Sequence, residues 1–192
     1  MGINWLENLN PRSALDLGAN TGKFSFIASQ YVEKIIALED DLKCVDIIEN
    51  KILYNKVNNI VTLVGNLSNP SPNIGLLSSS IKNIYERANS EIVLALALVH
   101  HLYISDKIGF TKIAEIFYHF TFKHLIVEYI PITDNKVQLL LKDKTIDSSK
   151  YTQENFKICF SQFFNLKETI ILNDSERILF LLEKKSTNDK KC

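Results

Sequence analysis

The chain has 192 residues, 46% of them hydrophobic, which suits one domain of ordinary size with a substantial core. Its 22 basic residues balance its 22 acidic residues, whereas proteins that hold nucleic acid through phosphates normally carry a basic excess. Nucleic acid is therefore not favoured as a partner.

Simple sequence features also indicate where the protein resides and argue against a membrane span or a metal site. No apolar run reaches the roughly 18 residues needed to span a bilayer, and the start lacks the pattern of a secretory signal. The cysteines, Cys44, Cys159 and Cys192, are too far apart for a disulfide framework or a metal site. We therefore expect a cytoplasmic protein with no membrane or metal, a single domain over residues 1–192, and a flexible tail from residue 184.

In chain order, short apolar runs alternate with amphipathic segments. The predicted strands are residues 13–18, 34–40, 59–67, 91–99, 123–131, 164–173 and 176–185. The predicted helices are residues 22–32, 44–56, 78–90, 109–120, 135–144 and 152–163, whereas residues 3–9 supply at most one short turn and residues 69–75 a loop. This alternation predicts an α/β fold whose parallel sheet is covered on both faces. A C-terminal hairpin is expected to add one antiparallel edge strand, giving seven strands.

The stretch LDLGANTGKFS begins in the first predicted strand and continues past its end, to the sheet edge where ligands of open α/β sheets bind. The dinucleotide fingerprint fails, because it would require glycine where Asn20 and Lys23 stand. Gly18 and Gly22 nevertheless allow close approach of a ligand to the backbone, and Asn tolerates a positive φ. A helix starting near Lys23 would offer amides to a carboxylate. The alternative is an ordinary strand-to-helix turn with glycines only for packing.

An acid closes the second predicted strand. Glu39 stands about twenty residues after the glycines, where a carboxylate can accept the ribose hydroxyls of a nucleoside. Asp40 and Asp41 follow it, so the role could shift by one residue, and the alternative is that these acids cap the next helix.

The spacing Asp16-x-Gly18-x-Asn20-x-Gly22 resembles motif I of the class I S-adenosylmethionine-dependent methyltransferases, with Asn replacing the middle Gly. The resemblance spans residues 13–183 and includes the phrases NPSPNIG, ALALVHHL, IVEYIP and YTQENFKICFSQFF. It implies a Rossmann-like, seven-stranded, mostly parallel sheet with helices on both faces and a C-terminal antiparallel hairpin. It also implies S-adenosyl-L-methionine as the cofactor.

The cofactor site implied by the resemblance lies around the carboxyl ends of the first four predicted strands. It comprises Asp16, Gly18, Asn20, Thr21, Gly22, Glu39, Asp40, Asn66, Leu67 and Ala95. Glu39 takes the ribose role, and Asn66 stands where the family often carries an acid near the adenine amino group. Asn66 can accept and donate hydrogen bonds there, although an ordinary turn residue is an equal alternative.

Three candidate catalytic residues follow the fourth and fifth strands. His100 and His101 come after the fourth strand, and Glu128 ends the fifth. A histidine titrates near neutral pH and could serve as a general base, as could the carboxylate. The alternative is that both histidines only close the loop beside the cofactor.

The resemblance predicts methyl transfer to an oxygen or nitrogen of a small-molecule acceptor. Two alternatives stay open: a methyltransferase of RNA or protein that acts with a partner, and a catalytically silent, methyltransferase-like binding subunit. About a dozen residues precede the first strand, where many family members place covering helices. A partner protein or domain that covers the cofactor is therefore a further expectation.

Overall fold

A computed structural model describes residues 2–70, 83–142, 144, 146–172 and 175–186. The strands are β1 (Ser13–Leu17), β2 (Lys34–Glu39), β3 (Ile60–Val64), β4 (Ser90–Ala95), β5 (Thr121–Tyr129), β6 (Phe164–Ile171) and β7 (Ile178–Lys184). The helices are α1 (Ile3–Leu9), α2 (Lys23–Ala28), α3 (Leu42–Asn55), α4 (Ile84–Ala88), α5 (Val99–Ile104), α6 (Phe110–Phe120), α7 (Asn135–Leu141) and α8 (Gln153–Ser161), with a 3-10 turn at Ser148–Lys150. None of the helices in these ranges has the length and apolar character needed to cross a membrane.

The strands form one sheet in the order β3-β2-β1-β4-β5-β7-β6. The first five strands pair in parallel, and β7 is antiparallel to both β5 and β6. The predicted seven-stranded, mostly parallel sheet with a C-terminal antiparallel pair is confirmed. One detail of the prediction is wrong: the antiparallel strand is not at the edge, because β7 inserts beside β5 and leaves β6 outermost.

Several predicted boundaries are also corrected. The fourth strand ends at Ala95, and the following residues turn into α5 instead of continuing the strand to Val99. Residues 3–9 form a helix, α1, instead of a single turn, because Trp5 and Leu6 are buried against the sheet. The predicted loop and helix over residues 69–90 fall partly on residues 71–82, which lie outside the described residues.

The alternation of side chains along the strands builds a core on each side of the sheet. In β4, Ile92 and Leu94 belong to the cluster that contains α1, α2 and α3 residues, whereas Val93 and Ala95 belong to the cluster that contains α5, α6 and α8 residues. A strand buried on both faces reads as a continuous apolar run. Helices therefore cover both faces, as the sequence predicts.

Side-chain caps fix the starts of α3 and α8. Asp41 caps α3 by accepting from the backbone N–H of Lys43 at 2.9 Å, and Thr152 caps α8 by accepting from Asn155 at 3.1 Å. Such caps satisfy backbone donors that have no partner within the helix. In the parallel register, Leu17 at the end of β1 pairs with Leu38 in β2. The loop after β1 and the acids after β2 therefore meet at one edge of the sheet.

Candidate active site

The loop after β1 has three left-handed backbone positions. Their φ angles are 67° at Gly18, 49° at Asn20 and 81° at Gly22. Asn20 fits this conformation because its short polar side chain bonds locally, and its Oδ1 accepts from the backbone N–H of Thr21 at 2.8 Å. The expectation that Asn20 adopts a positive φ is confirmed.

The two glycines of this loop have different neighbours. A Cβ at Gly18 would stand 3.0 Å from Leu98 Cδ1, so the missing side chain lets the segment after β4 pack against the loop. A Cβ at Gly22 would stand 3.0 Å from Ile48 Cγ1, a buried residue of α3. Gly18 lines the cleft described below, whereas Gly22 does not. The left-handed φ and the close contact with α3 both favour glycine at position 22.

The side chain of Glu39 connects β2 to the β1 loop. Its Oε2 accepts from the backbone N–H of Asn20 at 2.7 Å, and its Oε1 accepts from those of Asp40 and Asp41, both at 3.0 Å. A carboxylate offers about four acceptor positions. The three backbone donors leave one position on Oε2, and Glu39 lines the cleft while being only 8% exposed.

Asn66 follows β3 and is held in a turn. Its Oδ1 accepts from the backbone N–H groups of Ser68 at 2.8 Å and Asn69 at 2.9 Å, while its Nδ2 donates to Asp40 Oδ2 at 3.0 Å. Its oxygen is therefore engaged by the turn, which favours the alternative of a turn residue. Asn66 and Asp40 still line the cleft, as does the buried Leu67.

Asp16 lies beneath the loop and does not line the cleft. It is 1% exposed, and the Ser25 hydroxyl donates to its Oδ2 at 2.6 Å. Burial disfavours the ionised carboxylate and raises the pKa of Asp16 to about 7. The geometry joins β1 to α2 through Asp16 and Ser25.

The segment after β4 forms one wall of the cleft. Ala95, chosen from the sequence, is fully buried and does not line the cleft; the next three residues, Leu96, Ala97 and Leu98, do. The reason is the early end of β4, which turns the chain across the sheet edge at Leu96. Among these residues, Ala97 has a left-handed φ of 52°.

His100 and His101 lie in the first turn of α5, with ring centroids 4.2 Å apart, and both line the cleft. His100 is 3% exposed, and among the described residues its Nδ1 is a buried polar atom without a hydrogen-bond partner. Burial, followed by the neighbouring His101, lowers the pKa of His100 to about 3. The exposed His101 also has a lowered pKa, first from desolvation and then from Lys144. The lowered pKa of each ring favours its neutral form.

Glu128, at the end of β5, does not line the cleft. Its Oε2 accepts from the Ala97 N–H at 2.7 Å, and its Oε1 lies 3.5 Å from Arg177 Nη1. Burial raises the pKa of Glu128 above its ordinary value, although both contacts oppose that shift.

These walls enclose an open cleft of about 630 Å³ at the carboxyl edge of the sheet, within the usual range for small-molecule sites. Sequence reasoning missed several residues that line it: Lys23, Phe24, Ser105, Asp106 and Lys136. Lys136 reaches the cleft from α7, and no local pattern identifies such a residue. Among the described residues, no cluster of His, Cys, Asp or Glu side chains could hold a metal ion.

The comparisons with solved structures agree on the fold. The N-methyltransferase NodS of Bradyrhizobium japonicum WM9, in complex with S-adenosyl-L-homocysteine, superposes with a TM-score of 0.67 at 7% identity, covering 96% of this chain and 84% of NodS. The magnesium protoporphyrin IX methyltransferase of Synechocystis PCC 6803, with bound S-adenosylmethionine, gives 0.64 at 13% identity, covering 95% and 76%.

This chain has the fold of the class I S-adenosylmethionine-dependent methyltransferases. The cleft of this methyltransferase fold lies beyond the carboxyl ends of the strands, as expected for open α/β sheets. No known family model matches the sequence. A curated relative, the nodulation protein NoeA of Rhizobium meliloti strain 1021, is 29% identical over 175 residues. The match covers 91% of this chain but spans only 36% of NoeA.

Proposed function

We propose that this chain is an S-adenosylmethionine-dependent methyltransferase domain that methylates an oxygen or nitrogen of a small-molecule acceptor. The observation that carries the proposal is the Glu39 carboxylate, which faces the cleft beside the left-handed loop at Gly18 and Asn20 with one acceptor position free. A nucleoside with ribose hydroxyl donors requires such an acceptor at this point of the fold.

The residues present fit the cofactor. Carboxylate oxygens of Glu39 and Asp40 would hold the ribose, because each keeps an oxygen that no described donor saturates. Leu38 and Leu67 offer apolar walls for a purine ring. When bound, the cofactor supplies an activated methyl group, and the protein contributes alignment and a cleft that limits water.

Among the three candidate bases, we favour His101. His101 lines the cleft and is exposed, and desolvation followed by Lys144 lowers its pKa, which favours the neutral ring. His101 is thus the residue able to accept a proton from an acceptor hydroxyl. His100 is a poor base, since its pKa of about 3 leaves it little affinity for a proton. Glu128 has both oxygens engaged outside the cleft lining.

Two observations support a small-molecule acceptor. The cleft is a concave space of about 630 Å³, and the formal net charge of zero provides no general electrostatic footprint for nucleic acid. The similar structures named above include an N-methyltransferase and a porphyrin methyltransferase.

Cofactor binding is the first test. Isothermal titration calorimetry with S-adenosyl-L-homocysteine should show saturable binding to the wild-type chain. Glu39→Gln should weaken it about tenfold or more, the scale of one lost hydrogen bond to a charged group. Asp40→Asn should weaken it less. Glu33→Gln is the matched control, because Glu33 is exposed and precedes the opposite end of β2. Absence of binding by wild type would contradict the proposal and favour a silent binding subunit.

The acceptor class needs a second experiment. Wild-type chain and tritiated S-adenosylmethionine are incubated with a cell extract, which is then separated into small molecules, RNA and protein. We expect label in the small-molecule fraction and none with Glu39→Gln. Label confined to RNA or protein would instead identify a macromolecular methyltransferase.

A further inference from the structure

A non-glycine residue holds a left-handed backbone in the cleft wall. Ala97, with φ of 52°, connects the end of β4 to α5 and lines the cleft. This conformation brings Cβ close to backbone atoms and is disfavoured for alanine. It persists only where neighbouring groups fix it.

One neighbouring group is the side chain of Glu128. The register pairs Ala95 with Val127, so Glu128 follows this pair directly and lies beside the turn after β4. The N–H of Ala97 donates to Glu128 Oε2 at 2.7 Å, and Glu128 is 5% exposed. A hydrogen bond to a buried carboxylate is stronger than one between neutral groups.

Glu128 is held in turn from the C-terminal part of the chain. Arg177, which immediately precedes β7, places Nη1 3.5 Å from Glu128 Oε1. The same guanidinium donates to Asp134 through Nε at 2.8 Å and Nη2 at 3.1 Å. Asp134 also caps α7 by accepting from the Lys136 N–H at 2.9 Å. Glu128, Arg177 and Asp134 thus link the turn after β4 to the start of α7, the helix that carries the cleft residue Lys136.

We propose that Glu128 is a positioning residue, which fixes the left-handed turn at Ala97 and thereby the wall formed by Leu96, Ala97 and Leu98. This inference rests on the proposed function, since the wall faces the proposed cofactor site. Leu98 Cδ1 lies 3.0 Å from the point where a Cβ on Gly18 would stand. The turn at Ala97 therefore also sets how closely this wall approaches the loop after β1.

The first test needs no ligand. In ¹⁵N–¹H spectra, the amide proton of Ala97 should shift with pH as Glu128 titrates, because protonation weakens the acceptor. Glu128→Gln retains a carbonyl acceptor but cannot ionise, so that shift should become independent of pH. Arg177 and Asp134 interact electrostatically with Glu128, and His100 interacts with the same two residues; Asp134→Asn controls for titration of Asp134. An Ala97 amide that ignores both pH and Glu128→Gln overturns the inference, whatever the chain binds.

The second test uses a rescue measured by calorimetry with S-adenosyl-L-homocysteine. Glu128→Ala should weaken binding roughly tenfold, which corresponds to about 1.4 kcal/mol. Glu128→Gln should stay close to wild type. Adding Ala97→Gly to Glu128→Ala should restore most of the affinity, because glycine adopts a positive φ without steric cost.

The matched control is Glu183→Ala, which removes a carboxylate from the partly exposed ion pair with Lys167 on the neighbouring strands. Wild-type affinity in Glu128→Ala, or no rescue by Ala97→Gly, would overturn the positioning role. Failure of the wild-type chain to bind would instead refute the proposed function, and the Ala97 titration would still decide the contact.

Discussion

The backbone N–H of Asn20 donates to Glu39 Oε2 across 2.7 Å, although the two residues are 19 positions apart. This bond joins the loop after β1 to the end of β2. It also places a left-handed backbone and a buried carboxylate at the same wall of the cleft. The proposed cofactor site depends on that juxtaposition.

Asn20 should be replaceable by glycine more easily than by alanine. Both variants lose the Asn20 Oδ1 bond to Thr21. Only alanine is destabilised by the left-handed conformation, at a cost of roughly 1–2 kcal/mol, because glycine adopts it freely. Urea unfolding, followed by fluorescence of the single tryptophan, Trp5, measures the difference. Equal stabilities of Asn20→Gly and Asn20→Ala would show that the φ at this position is not held in solution.

Gly65→Ala should destabilise the chain through one identified contact. The added Cβ would stand 2.1 Å from Cδ1 of Ile84, which is fully buried, and overpacking of this kind costs about 1–3 kcal/mol. Ile84→Val deletes that methyl group at a cost of about 0.5–1.5 kcal/mol. The loss of unfolding free energy in the double variant should be smaller than the sum of the losses in the two single variants. A double-mutant cycle measures this difference. Strict additivity would exclude the contact as the cause.

Asp16→Asn should change the pH dependence of stability. The folded-state pKa of about 7 lies above the ordinary value of 3.8, so between these limits the native state holds a proton that the unfolded state has released. Wild-type stability contributed by this group therefore falls as pH rises through that window, by at most about 1.4 kcal/mol per pH unit. Asn cannot ionise and accepts from Ser25 in the same way.

The measurement for Asp16 is the unfolding free energy of both chains from pH 4 to pH 8. The difference in favour of Asp16→Asn should grow up to about pH 7 and then level off. A constant difference across the range would show that the buried carboxyl is not protonated in the native state.

Titration of His100 should change the unfolding free energy with pH in the direction opposite to that of Asp16. Its folded pKa of about 3 lies below the ordinary 6.5, so between these values the unfolded state binds the extra proton. Wild-type stability is therefore lost as pH falls below 6.5. His100→Phe removes this titration, and its unfolding free energy should decline less between pH 6.5 and 5. Above pH 7.5 the two chains should show the same slope, which provides the internal control; identical slopes below pH 6.5 would contradict the buried, neutral ring.

The sequence alone indicated the alternating α/β order, the tolerance of Asn20 for a positive φ, the acid that ends β2 and a possible helix cap among the acids that follow it. These features depend on local properties: side-chain periodicity, the φ preference of a residue, and a donor or acceptor a few positions away. Local rules also supplied the candidate residues after each strand, because parallel strands bring their carboxyl ends to one edge.

Only the tertiary structure decided which of those residues face the cleft. Asp16 accepts a hydrogen bond from Ser25 and does not line the cleft. Glu128 likewise lies outside the cleft lining, where it contacts Ala97 and Arg177. Lys136, which the sequence did not indicate, lines the cleft from α7. The sequence also did not indicate that β7 lies between β5 and β6 in the sheet. The physical reason is that periodicity records which side of its own element a residue occupies, whereas the partners of a buried carboxylate come from elements distant in the chain.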